Sequence, residues 1–465
     1  MSVLALSEAD FALDVDVVVV GGGGCGLTAA LAADDSGASV IVLERDSSTM
    51  GTTAMSTGLI PAAGSRQQRA AGIDDTPERF ADDILAKTRG ETDAEIAAAL
   101  AAASGATVDW LTDAGVPLTL VDSFLYPGHT ALRMHGTPNR TGAELMGSLA
   151  QAVERREIPV LTEATVTTLF ADSDGRIGGV RCQRPDGSHE DVACNALILA
   201  CCGFAGSSEL VREYIPEIAD ATFFGHPGNK GDAIVWGRAL NAAIDDIHSY
   251  QGHGGLAAGH GIPILWPLIM EGGFQVNTAG ERFSNEARGY SEQAVDVVAQ
   301  PDHVAYSVYD ARLHELMQEF DDYRDAIAAR AIRQADDLPS LAGEIGVPAD
   351  ALAKTLDDVN AAAAAGEPDA FGRRFDPAKK LVAPFYAVKV TGALFHTQGG
   401  LRVDATGRVL REDNTPLPNL FAGGGAARGI SGPSSWGYMA GNGLLTATTF
   451  GRLAGNAAAE LATAA

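Results

Sequence analysis

The chain has 465 residues, with 60 acidic against 33 basic residues and a formal net charge of -27 at pH 7. This length exceeds what a single hydrophobic core usually supports, so two domains are expected. The acidic surface repels phosphate backbones, so nucleic acid is not an expected partner. No apolar run approaches the roughly 20 residues of a membrane helix, and the acidic first residues are unlike a secretory signal.

Five cysteines are spread along the chain without the spacing of metal ligands, so no metal site is expected. Their odd number argues against a disulfide framework and fits a reducing cytoplasm. Two of them are adjacent within an apolar segment, where buried, unreactive thiols are favoured over a redox pair. The cysteines are Cys25, Cys182, Cys194, Cys201 and Cys202.

A glycine-rich turn lies between a buried strand and a helix near the start of the chain. Residues 17–20 are four valines, which are typical of a strand buried on both faces, and residues 27–33 predict a helix. Between them stand glycines in a G-x-G-x-x-G spacing. These glycines are Gly21, Gly23 and Gly26.

A second buried strand, at residues 40–43, ends in Glu44. In this order of elements the glycines permit a tight turn and a close approach to a pyrophosphate, and the acidic residue binds a ribose. The helix N-terminus supplies N–H groups for the phosphates. The pattern predicts a dinucleotide site, and its alternative is a glycine-rich turn without a ligand.

A stretch rich in hydroxyl groups follows Glu44, at residues 47–53, and continues in Ser56, Thr57 and Gly58. These side chains can line the pyrophosphate and the isoalloxazine of a flavin; a polar surface loop is the alternative. Thr76 and Pro77 then predict the start of a helix, and helical sequence continues at 93–114 and 140–155. Residues 124–129 between them predict a loop.

The middle of the chain combines strands and helices. Alternating residues at 160–161, 165–170 and 177–181 predict antiparallel strands, and residues 196–200 predict a further buried strand. Residues 251–255 predict a loop rich in glycine and histidine, and residues 274–277 a strand. Helices are predicted at 311–333 and 348–365, with a surface connection at 368–377.

Nucleotide-binding patterns return at the end of the chain. Strands are predicted at 384–390, 394–401 and 420–422, the last followed by glycines, and a helix with a glycine-rich start follows Gly441. A nucleotide-binding domain interrupted by an insertion is therefore predicted. We place its first part at 1–246, the inserted domain at 247–385 and the second part at 386–465.

Together these stretches resemble the flavoprotein-subunit family of succinate dehydrogenases and soluble fumarate reductases, and within it the 3-ketosteroid Δ1-dehydrogenase branch. The resemblance covers nearly the whole chain. It is carried by the glycine turn with Glu44 and by residues 50–63, 231–232, 251–253, 280–286, 396–400 and 441–443. It implies an α/β fold, in which a discontinuous two-dinucleotide-binding (Rossmann-like) FAD domain carries an inserted α+β capping and catalytic domain. Members with covalent FAD have a histidine just before the hydroxyl-rich loop; here that segment is residues 47–50, which contain no histidine, so non-covalent FAD is implied.

The resemblance also shows two departures. Fumarate reductases have one arginine four residues after the Asn-Glu pair of residues 285–286, and another before the terminal Gly-Asn; here these positions hold Tyr290 and Tyr438. The family histidines that hold a dicarboxylate match His253 and His396. Without the arginines the fixed positive charge that a dicarboxylate needs is missing.

Tyrosines at both positions resemble the ketosteroid dehydrogenases. There one tyrosine removes a proton beside a ketone, and the other polarises the ketone oxygen together with a backbone N–H group, here at Gly441. Residues 432–436 depart from the Tyr-Pro-Gly pattern of that branch, while Tyr126 resembles a third, supporting tyrosine. Ionising a tyrosine of pKa near 10 at pH 7 costs about 4 kcal/mol, so Tyr126, His253 or His396 is expected to offset this cost for Tyr290.

The implied activity is that of an FAD-dependent oxidoreductase acting on CH–CH groups. As a dehydrogenase it would introduce a double bond α,β to a ketone of a steroid or of a smaller cyclic ketone such as 4-oxocyclohexanecarboxylate, by α-proton abstraction and hydride transfer to flavin N5. A reductase of an unsaturated carboxylic acid and a flavin-carrying electron-transfer subunit are the alternatives. The electron acceptor is oxygen, a quinone or a redox protein.

The candidate residues fall into three groups. Arg133, Arg288 and Arg428 are expected to form surface ion pairs, although one of them could bind a substrate carboxylate. The candidate catalytic residues are Tyr290, Tyr438, Tyr126, His253, His396 and Gly441. The candidate cofactor-binding residues are Gly21, Gly23, Gly24, Cys25, Gly26, Glu44, Arg45, Gly51, Thr52, Thr53, Ser56, Thr57, Gly58, Val166, Cys201, Gly203, Gly424, Asn442, Gly443, Leu444 and Leu445.

Overall fold

The computed structural model describes residues 1–123 and 125–464. Phe124, in the predicted loop at 124–129, lies outside the described residues. The chain divides into two compact units. Unit 1 consists of Met1–Leu210, Gly225–Tyr250 and His396–Ala465, and unit 2 consists of Val211–Phe224 and Gln251–Phe395. The sequence-based division does not separate residues 211–224, which belong to unit 2.

The described residues form 21 strands and 15 α-helices, each numbered in chain order. The strands are β1 (Ser2–Ala5), β2 (Phe11–Val20), β3 (Val40–Leu43), β4 (Ile60–Pro61), β5 (Thr119–Leu120), β6 (Met134–Gly136), β7 (Val160–Leu161), β8 (Thr165–Ala171), β9 (Ile177–Gln183), β10 (His189–Leu199), β11 (Thr222–Phe223), β12 (Ile244–Asp245), β13 (Tyr250–Ala257), β14 (Ile262–Pro263), β15 (Phe274–Val276), β16 (Val304–Asp310), β17 (Ile332–Ala335), β18 (Phe385–Thr397), β19 (Gly400–Leu401), β20 (Arg408–Leu410) and β21 (Pro416–Ala422). The helices are α1 (Gly24–Asp35), α2 (Gly51–Ala54), α3 (Arg66–Ala70), α4 (Pro77–Lys87), α5 (Ala94–Asp113), α6 (Gly142–Arg155), α7 (Ser208–Tyr214), α8 (Asp232–Ala239), α9 (Pro267–Met270), α10 (Tyr290–Val298), α11 (Ala311–Met317), α12 (Asp321–Ala328), α13 (Leu338–Ile345), α14 (Ala349–Ala365) and α15 (Asn442–Thr463).

Four parallel strands form the centre of the nine-stranded sheet of unit 1. β2 pairs with β3 on one side and with β10 on the other, and β10 also pairs with β21. The valines at the end of β2 are buried, as expected where both faces of a sheet are covered. Because the four strands are parallel, their carboxyl ends lie at one edge of the sheet.

Helices α1 and α15 pack closely together in unit 1, and glycines in α15 make this possible. A Cβ added at Gly451 would lie 2.6 Å from the carbonyl oxygen of Cys25, and one at Gly455 would lie 2.3 Å from that of Ala29. Two helices that touch through their backbones leave little room for relative movement. The start of α15 is therefore held in a fixed position relative to the glycine turn.

Unit 2 is built around a seven-stranded sheet with β18 at its centre. Strands β14, β13, β18, β16 and β15 follow one another, and β11 and β17 also pair with β18. β16 runs antiparallel to β18 from Val304, which pairs with Thr391, to Asp310, which pairs with Phe385. No helix within residues 1–123 and 125–464 is long and apolar enough to cross a membrane.

Three predicted elements differ from the structure. β8 and β9 are antiparallel as predicted, but the prediction that residues 160–161 join them is wrong, because β7 pairs in parallel with β3. A single helix at 311–333 is also wrong. The chain ends α12 at Ala328, Arg330 adopts a positive φ of 57°, and β17 then pairs with β18. In the predicted surface connection, Arg373 and Phe375 are buried.

The glycine-rich residues 251–255 are not a loop but part of strand β13, which is buried from Gly252 to Ala257. Helix α10 packs against this strand. A Cβ added at Gly252 would lie 2.6 Å from the Ala294 Cβ, and one at Gly254 would lie 2.8 Å from Gln293. Glycine, which usually weakens a strand, is required here because α10 approaches the backbone so closely.

Candidate active site

The carboxyl edge of the central sheet in unit 1 brings together four of the predicted cofactor-binding segments. β2 ends at Val20 before Gly21, β3 ends at Leu43 before Glu44, β10 leads to Gly203, and β21 leads to Gly424. Ligands of open α/β sheets bind outside the carboxyl ends of the strands. The topology therefore assembles one binding edge from segments that are up to 403 residues apart, from Gly21 to Gly424.

The glycine turn has the geometry of a phosphate-binding loop. Gly21 has a positive φ of 105°, and its N–H donates to the Leu43 carbonyl at 2.8 Å. A Cβ added at Gly26 would lie 1.8 Å from the Gly21 carbonyl oxygen, so only glycine lets helix and strand approach here. At Gly23, which caps α1 without a side chain, an added Cβ would meet nothing within 4 Å. This helix N-terminus therefore faces open space suited to a diphosphate.

Glu44 is buried at the same edge, with a relative exposure of 8%. Its carboxylate accepts from the Gly22 N–H at 2.6 Å and from the Asp46 N–H at 2.9 Å. The Glu44 carbonyl accepts from the Ala164 N–H at 2.8 Å, two residues before Val166 on strand β8. The acid is thus held rigidly beside the turn where a ribose is expected.

The hydroxyl-rich stretch divides into two parts. Thr53 Oγ1 accepts from the Gly24 N–H at 3.2 Å, and Thr52 Oγ1 accepts from Asn229 Nδ2 at 3.0 Å, so α2, which starts at Gly51, faces the glycine turn. Ser56 and Gly58 instead contact the start of α6: the Ser56 carbonyl accepts from Gly142 N–H at 2.6 Å, and a Cβ at Gly58 would lie 2.6 Å from the Thr141 carbonyl oxygen. Thr57 is exposed.

Arg45 and the adjacent, unbridged cysteines Cys201 and Cys202 also lie at this edge. Arg45 Nη2 donates to Asp232 Oδ2 at 3.0 Å at the start of α8. Burial raises the pKa of the Cys201 and Cys202 thiols, and burial raises that of Cys25 to about 12, so these groups remain protonated at neutral pH. They act as packing groups; Cys25 in particular packs its sulfur against Gly423.

These residues fit FAD. They offer an open helix N-terminus, a ribose-binding acid and two threonines at the pyrophosphate position. A further observation comes from Asn442 in the first turn of α15: its side chain is fully buried, and its Oδ1 has no hydrogen-bond partner among the described residues. Such an orphaned acceptor is costly unless a ligand donates to it. A cofactor N–H group would satisfy it, and the adjoining Leu445 is buried beneath this turn.

The start of α15 also carries the first of two histidine–tyrosine pairs. His396 and Tyr438 meet edge to face, with ring centroids 5.7 Å apart. A Cβ added at Gly443 would lie 3.0 Å from His396 Nε2 and 3.8 Å from the Tyr438 hydroxyl oxygen. Both polar atoms therefore lie beside the first turn of α15, which has N–H groups without helical partners and the positive end of the helix dipole.

His396 is held by a neighbouring amide. Gln398 Nε2 lies 3.1 Å from His396 Nδ1, and Gln398 Oε1 accepts from Ser431 Oγ at 2.8 Å. Because an amide nitrogen can only donate, Nδ1 accepts and the ring proton is on Nε2. Burial lowers the pKa of His396 to about 4, so the ring is uncharged at pH 7.

Gly441 and Tyr126 shape the loop before α15. Gly441 has a positive φ of 83°, and a Cβ there would lie 2.6 Å from Pro61. Tyr126 is partly buried against a small cluster that includes Ala440, and burial raises the pKa of its phenol. The loop from Tyr438 to Gly441 is therefore packed on both sides, which fixes the direction of the phenol.

The second pair lies in unit 2. His253 on β13 stacks with Tyr290, with centroids 5.3 Å apart, and with Phe395 at the same separation. Trp266 contacts both members edge to face. The backbone N–H of Gly255 donates to His253 Nδ1 at 3.1 Å, which again puts the ring proton on Nε2. Burial lowers the pKa of His253 to about 4.

Two arginines and Glu286 position Tyr290, which is the first residue of α10. Glu286 is buried and pairs with Arg282 at 2.7 Å and with Arg373 at 3.0 Å. Burial alone would raise the pKa of Glu286, but the two guanidinium groups hold it below its ordinary value. Residues 282–286 are therefore held by an internal ion-pair cluster, which fixes the turn before Tyr290.

The remaining candidate arginines are paired with carboxylates of the chain. Arg288 is exposed and pairs with Asp296, and Arg428 binds Asp93, Asp245 and Asp246. The prediction that Arg133 is a surface residue is wrong. Its guanidinium is fully buried between Asp75, at 2.8 Å, and Asp83, at 2.6 Å.

Sequence reasoning did not select three residues that the structure connects to the start of α15. Gln398 and Ser431 hold His396 as described above. His129 Nε2 donates to the carbonyl oxygen of Ala440 at 2.9 Å, and its Nδ1 lies 3.3 Å from Arg133 Nη1. The Gln398–Ser431 and His129–Ala440 contacts span 33 and 311 residues, so no local pattern predicts them. Gln398 was visible only as part of the His-Thr-Gln-Gly-Gly stretch.

Comparisons with known proteins agree with this description. The family described as FAD binding domain matches residues 16–444. The open form of a flavocytochrome c3 fumarate reductase has a TM-score of 0.83 at 28% identity, covering 97% of this chain and 79% of that chain. A 3-ketosteroid-Δ4-(5α)-dehydrogenase from Rhodococcus jostii has a TM-score of 0.78 at 24% identity, covering 98% of this chain and 99% of that chain, and shows the same fold.

Two curated relatives are similar in sequence. A probable fumarate reductase of Shewanella frigidimarina is 28% identical over 448 residues, covering 96% of this chain and 74% of the relative. The 4-oxocyclohexanecarboxylate 2-dehydrogenase of Sinomonas cyclohexanicum is 27% identical over 512 residues, covering 88% of this chain and 87% of the relative.

Proposed function

The chain belongs to the FAD binding domain family, and from this premise we propose that it is a dehydrogenase that introduces a double bond α,β to a ketone of a cyclic substrate. The predicted family, the Rossmann-like FAD fold and the class of FAD-dependent oxidoreductase acting on CH–CH groups are confirmed. The direction of reaction and the substrate are our proposal.

One observation carries the proposal: an uncharged histidine and a tyrosine surround the first turn of α15. The His396 Nε2–H, the Tyr438 hydroxyl and the helix N-terminus form a set of hydrogen-bond donors without a cation. Such a set stabilises the charge that develops on a ketone oxygen when an α-proton leaves. A carboxylate, by contrast, is best held by a bidentate arginine.

We assign the following roles to this chain's residues. Tyr290 takes the α-proton, and His253, stacked on it, keeps the phenol in place. Tyr438 and His396 donate to the ketone oxygen, assisted by the N–H at Gly441, and Tyr126 supports the loop that carries Tyr438. When bound, FAD supplies the oxidant that accepts the β-hydrogen as hydride.

The charge distribution supports a ketone over a dicarboxylate. His253 and His396 are uncharged at pH 7 because burial lowers the pKa of each to about 4, so neither supplies a positive charge, and neither can offset the ionisation of Tyr290 by its charge. Arg133, Arg288 and Arg428 are each bound to carboxylates of the chain. The similarity to a 4-oxocyclohexanecarboxylate 2-dehydrogenase over 88% of this chain adds support for a small cyclic ketone.

The second candidate is a reductase of an unsaturated carboxylic acid. Its support is that fumarate reductases are among the curated relatives at 28% to 29% identity and that both dicarboxylate histidines are retained. It requires that the substrate acid be bound without the two arginines of that branch. A flavin-carrying subunit that transfers electrons to a partner protein is a third, less supported alternative.

We further propose that FAD is bound without a covalent link and that the protein works in a reducing cytoplasm. Residues 47–50, the segment in which covalent members of the family have their histidine, contain none here. All five cysteines are free thiols. Release of FAD from acid-precipitated protein tests the first point; flavin that stays with the pellet would contradict it. Oxygen, a quinone and a redox protein remain the candidate electron acceptors.

Anaerobic reduction of the bound flavin tests the proposed reaction. A saturated 3-ketosteroid or 4-oxocyclohexanecarboxylate should bleach the FAD absorbance, and fumarate should reoxidise dithionite-reduced enzyme only slowly. Rapid reoxidation by fumarate, together with no bleaching by any cyclic ketone, would favour the reductase. A flavin that responds to none of these small molecules but to a protein partner would favour the subunit.

A further inference from the structure

A chain of four polar side chains in unit 1, three of them buried, ends at the half-buried His396. Asn442 Nδ2 donates to Ser431 Oγ at 3.3 Å, Ser431 Oγ donates to Gln398 Oε1 at 2.8 Å, and Gln398 Nε2 lies 3.1 Å from His396 Nδ1. Asn442, Ser431 and Gln398 are each less than 5% exposed, so water does not compete for these contacts. We refer to these four residues as the amide chain.

The amide chain has a direction. Each member donates toward His396, and the last donor, an NH₂ group, requires that the imidazole Nδ1 accept. Nδ1 also lies 3.4 Å from the Thr397 carbonyl oxygen, the longest of the contacts. A proton on Nδ1 directed to that oxygen would face the Gln398 NH₂ group, so the shorter contact decides the tautomer.

The backbone holds Gln398 in place. Its N–H donates to the Ser249 carbonyl at 2.7 Å, and its own carbonyl accepts from Gly429 N–H at 2.8 Å. Only rotation of the side-chain amide can therefore reverse the chain. Ser431 keeps this amide from rotating, because its hydroxyl donates to Gln398 Oε1 and accepts from Asn442 Nδ2.

We propose that Gln398 and Ser431 are positioning residues that fix His396 as an uncharged Nε2–H donor, and that this makes the start of α15 selective for a neutral carbonyl oxygen over a carboxylate. The selectivity part rests on the proposed function, whereas the tautomer does not. With Nδ1 occupied by Gln398, the ring cannot gain a second proton without breaking the amide chain. Tyr438, a titratable group in contact with the ring in unit 1, is uncharged when protonated.

The orphaned acceptor of Asn442 fits this direction. Its Oδ1 has no partner among the described residues, while its Nδ2 points to Ser431. If the amide were reversed throughout the chain, Oδ1 would accept from Ser431 and His396 would carry its proton on Nδ1. A ligand donor at Asn442 Oδ1 therefore favours the Nε2–H form of His396, 46 residues away in sequence.

The test is the ¹⁵N spectrum of histidine-labelled holoenzyme, which distinguishes the two imidazole tautomers directly. His396, assigned by its loss in H396N, should show a protonated Nε2 and an unprotonated Nδ1 throughout pH 5.5 to 8. His135 is an internal standard of the opposite tautomer, because its Nδ1 donates to the Arg133 carbonyl at 2.9 Å and its Nε2 accepts from Ser65. A protonated Nδ1 at His396 in the wild type would overturn the proposal.

Two variants test the residues that set the tautomer. In Ser431→Ala the Gln398 amide is free to rotate, and a population with the proton on Nδ1 should appear. In Gln398→Glu the carboxylate requires a proton on Nδ1, so His396 should titrate between pH 5 and 8, which the wild-type ring does not. His135 and His253 should be unchanged in both variants, and loss of all three signals would report misfolding. A His396 signal that does not change in two folded variants would overturn the positioning role.

Flavin bleaching separates this proposal from the proposed function. If His396 carries its proton on Nε2 but no cyclic ketone bleaches the flavin, the amide chain stands and the dehydrogenase proposal fails. If a ketone bleaches the flavin while His396 is protonated on Nδ1, the dehydrogenase proposal stands and the positioning role of the amide chain fails. If both hold, Q398E should lower kcat with a smaller change in KM, because a donor aimed at the developing oxyanion acts mainly in the transition state.

Discussion

The two histidine–tyrosine pairs have the same chemistry but different supports. His253, which is buried in unit 2, and His396, which is half-buried in unit 1, are both uncharged at pH 7 and protonated on Nε2. At His253 a backbone N–H, that of Gly255, fixes the tautomer. At His396 the side chain of Gln398 does so, and that side chain depends on Ser431.

The two histidines therefore differ in how easily a substitution can change their tautomer. A backbone donor persists in every variant except one that introduces proline, so His253 stays an Nε2–H group whatever the neighbouring side chains are. A side-chain donor can be replaced or rotated, so a single substitution can change the tautomer and charge of His396. We infer that the pair in unit 1 is the more adjustable one, and that substrate preference is more easily altered there.

The largest effect is expected for Tyr290, the partner of the permanently fixed histidine. Y290F removes the proposed base and should slow anaerobic bleaching by a cyclic ketone by about a thousandfold or more, as loss of a general base typically does. FAD content should be unchanged, since Tyr290 lies in unit 2 and the cofactor-binding residues lie in unit 1. Stopped-flow absorbance of the flavin measures the rate.

Y306F is the matched control for Y290F. Tyr306 is a partly exposed tyrosine on β16 of the same unit, and its replacement removes one hydroxyl in the same way. It should bleach at the wild-type rate. If Y290F also does, Tyr290 is not the base, and the other phenols would have to be reconsidered.

The partner of the adjustable histidine should have a smaller effect. Y438F removes one of the donors to the ketone oxygen, and loss of one such donor typically lowers kcat by about 10² to 10³. KM should change much less. Because His396 and the helix N-terminus remain, the loss should be smaller than in Y290F; a Y438F enzyme as inactive as Y290F would mean that Tyr438 has a further role.

Much of unit 1 was predictable because its signals are local. A run of valines, a spaced set of glycines and an acidic residue at a strand end occur within residues 17–44, and each has a separate physical reason. Helix starts such as Thr76-Pro77 are also local; the Thr76 side chain indeed caps α4. The sheet edge follows from these elements because parallel strands align their carboxyl ends.

The sequence-based predictions were wrong where contacts between residues far apart in the chain override local conformational preference. β13 contains three glycines and a histidine within residues 252–255 and lacks the composition of a strand, yet α10 requires glycines there for its close approach. Arg133 was predicted as a surface residue because arginine usually is, but Asp75 and Asp83 lie 58 and 50 residues away and neutralise it in the interior. In the candidate site the tyrosines could be selected only through the family resemblance, and the contact between Gln398 and Ser431 spans 33 residues.

The low pKa values that both histidines share predict a loss of stability in acid. Each folded-state pKa of about 4 lies below the ordinary value of 6.5, so the unfolded chain binds more protons between these values. The contribution of each histidine to the free energy of unfolding is therefore fully present above pH 6.5, and it is lost as the pH falls toward 4. Each buried histidine should cost about 2 kcal/mol at pH 5 relative to pH 7.5.

Urea unfolding at pH 7.5 and pH 5.0 measures this loss. H253Q should reduce the difference between the two pH values, because it removes one group that is protonated only on unfolding. H260Q is the control, since His260 is exposed and should leave the difference as it is. Equal pH dependence in wild type and H253Q would show that His253 is not held neutral by the fold.

The smallest expected effect addresses the backbone support of His253. In G255A the new Cβ would lie 3.0 Å from the Ile264 carbonyl oxygen and 3.2 Å from His253 Cε1, so the neighbours must shift by a few tenths of an ångström. We expect a loss of about 1 kcal/mol in the free energy of unfolding, at the low end of overpacking. The ¹⁵N spectrum should still show His253 protonated on Nε2, because the alanine N–H donates to Nδ1 as the glycine N–H does. A change of tautomer in folded G255A would mean that ring packing, and not the backbone donor, determines the tautomer of His253, and the contrast with His396 would then disappear.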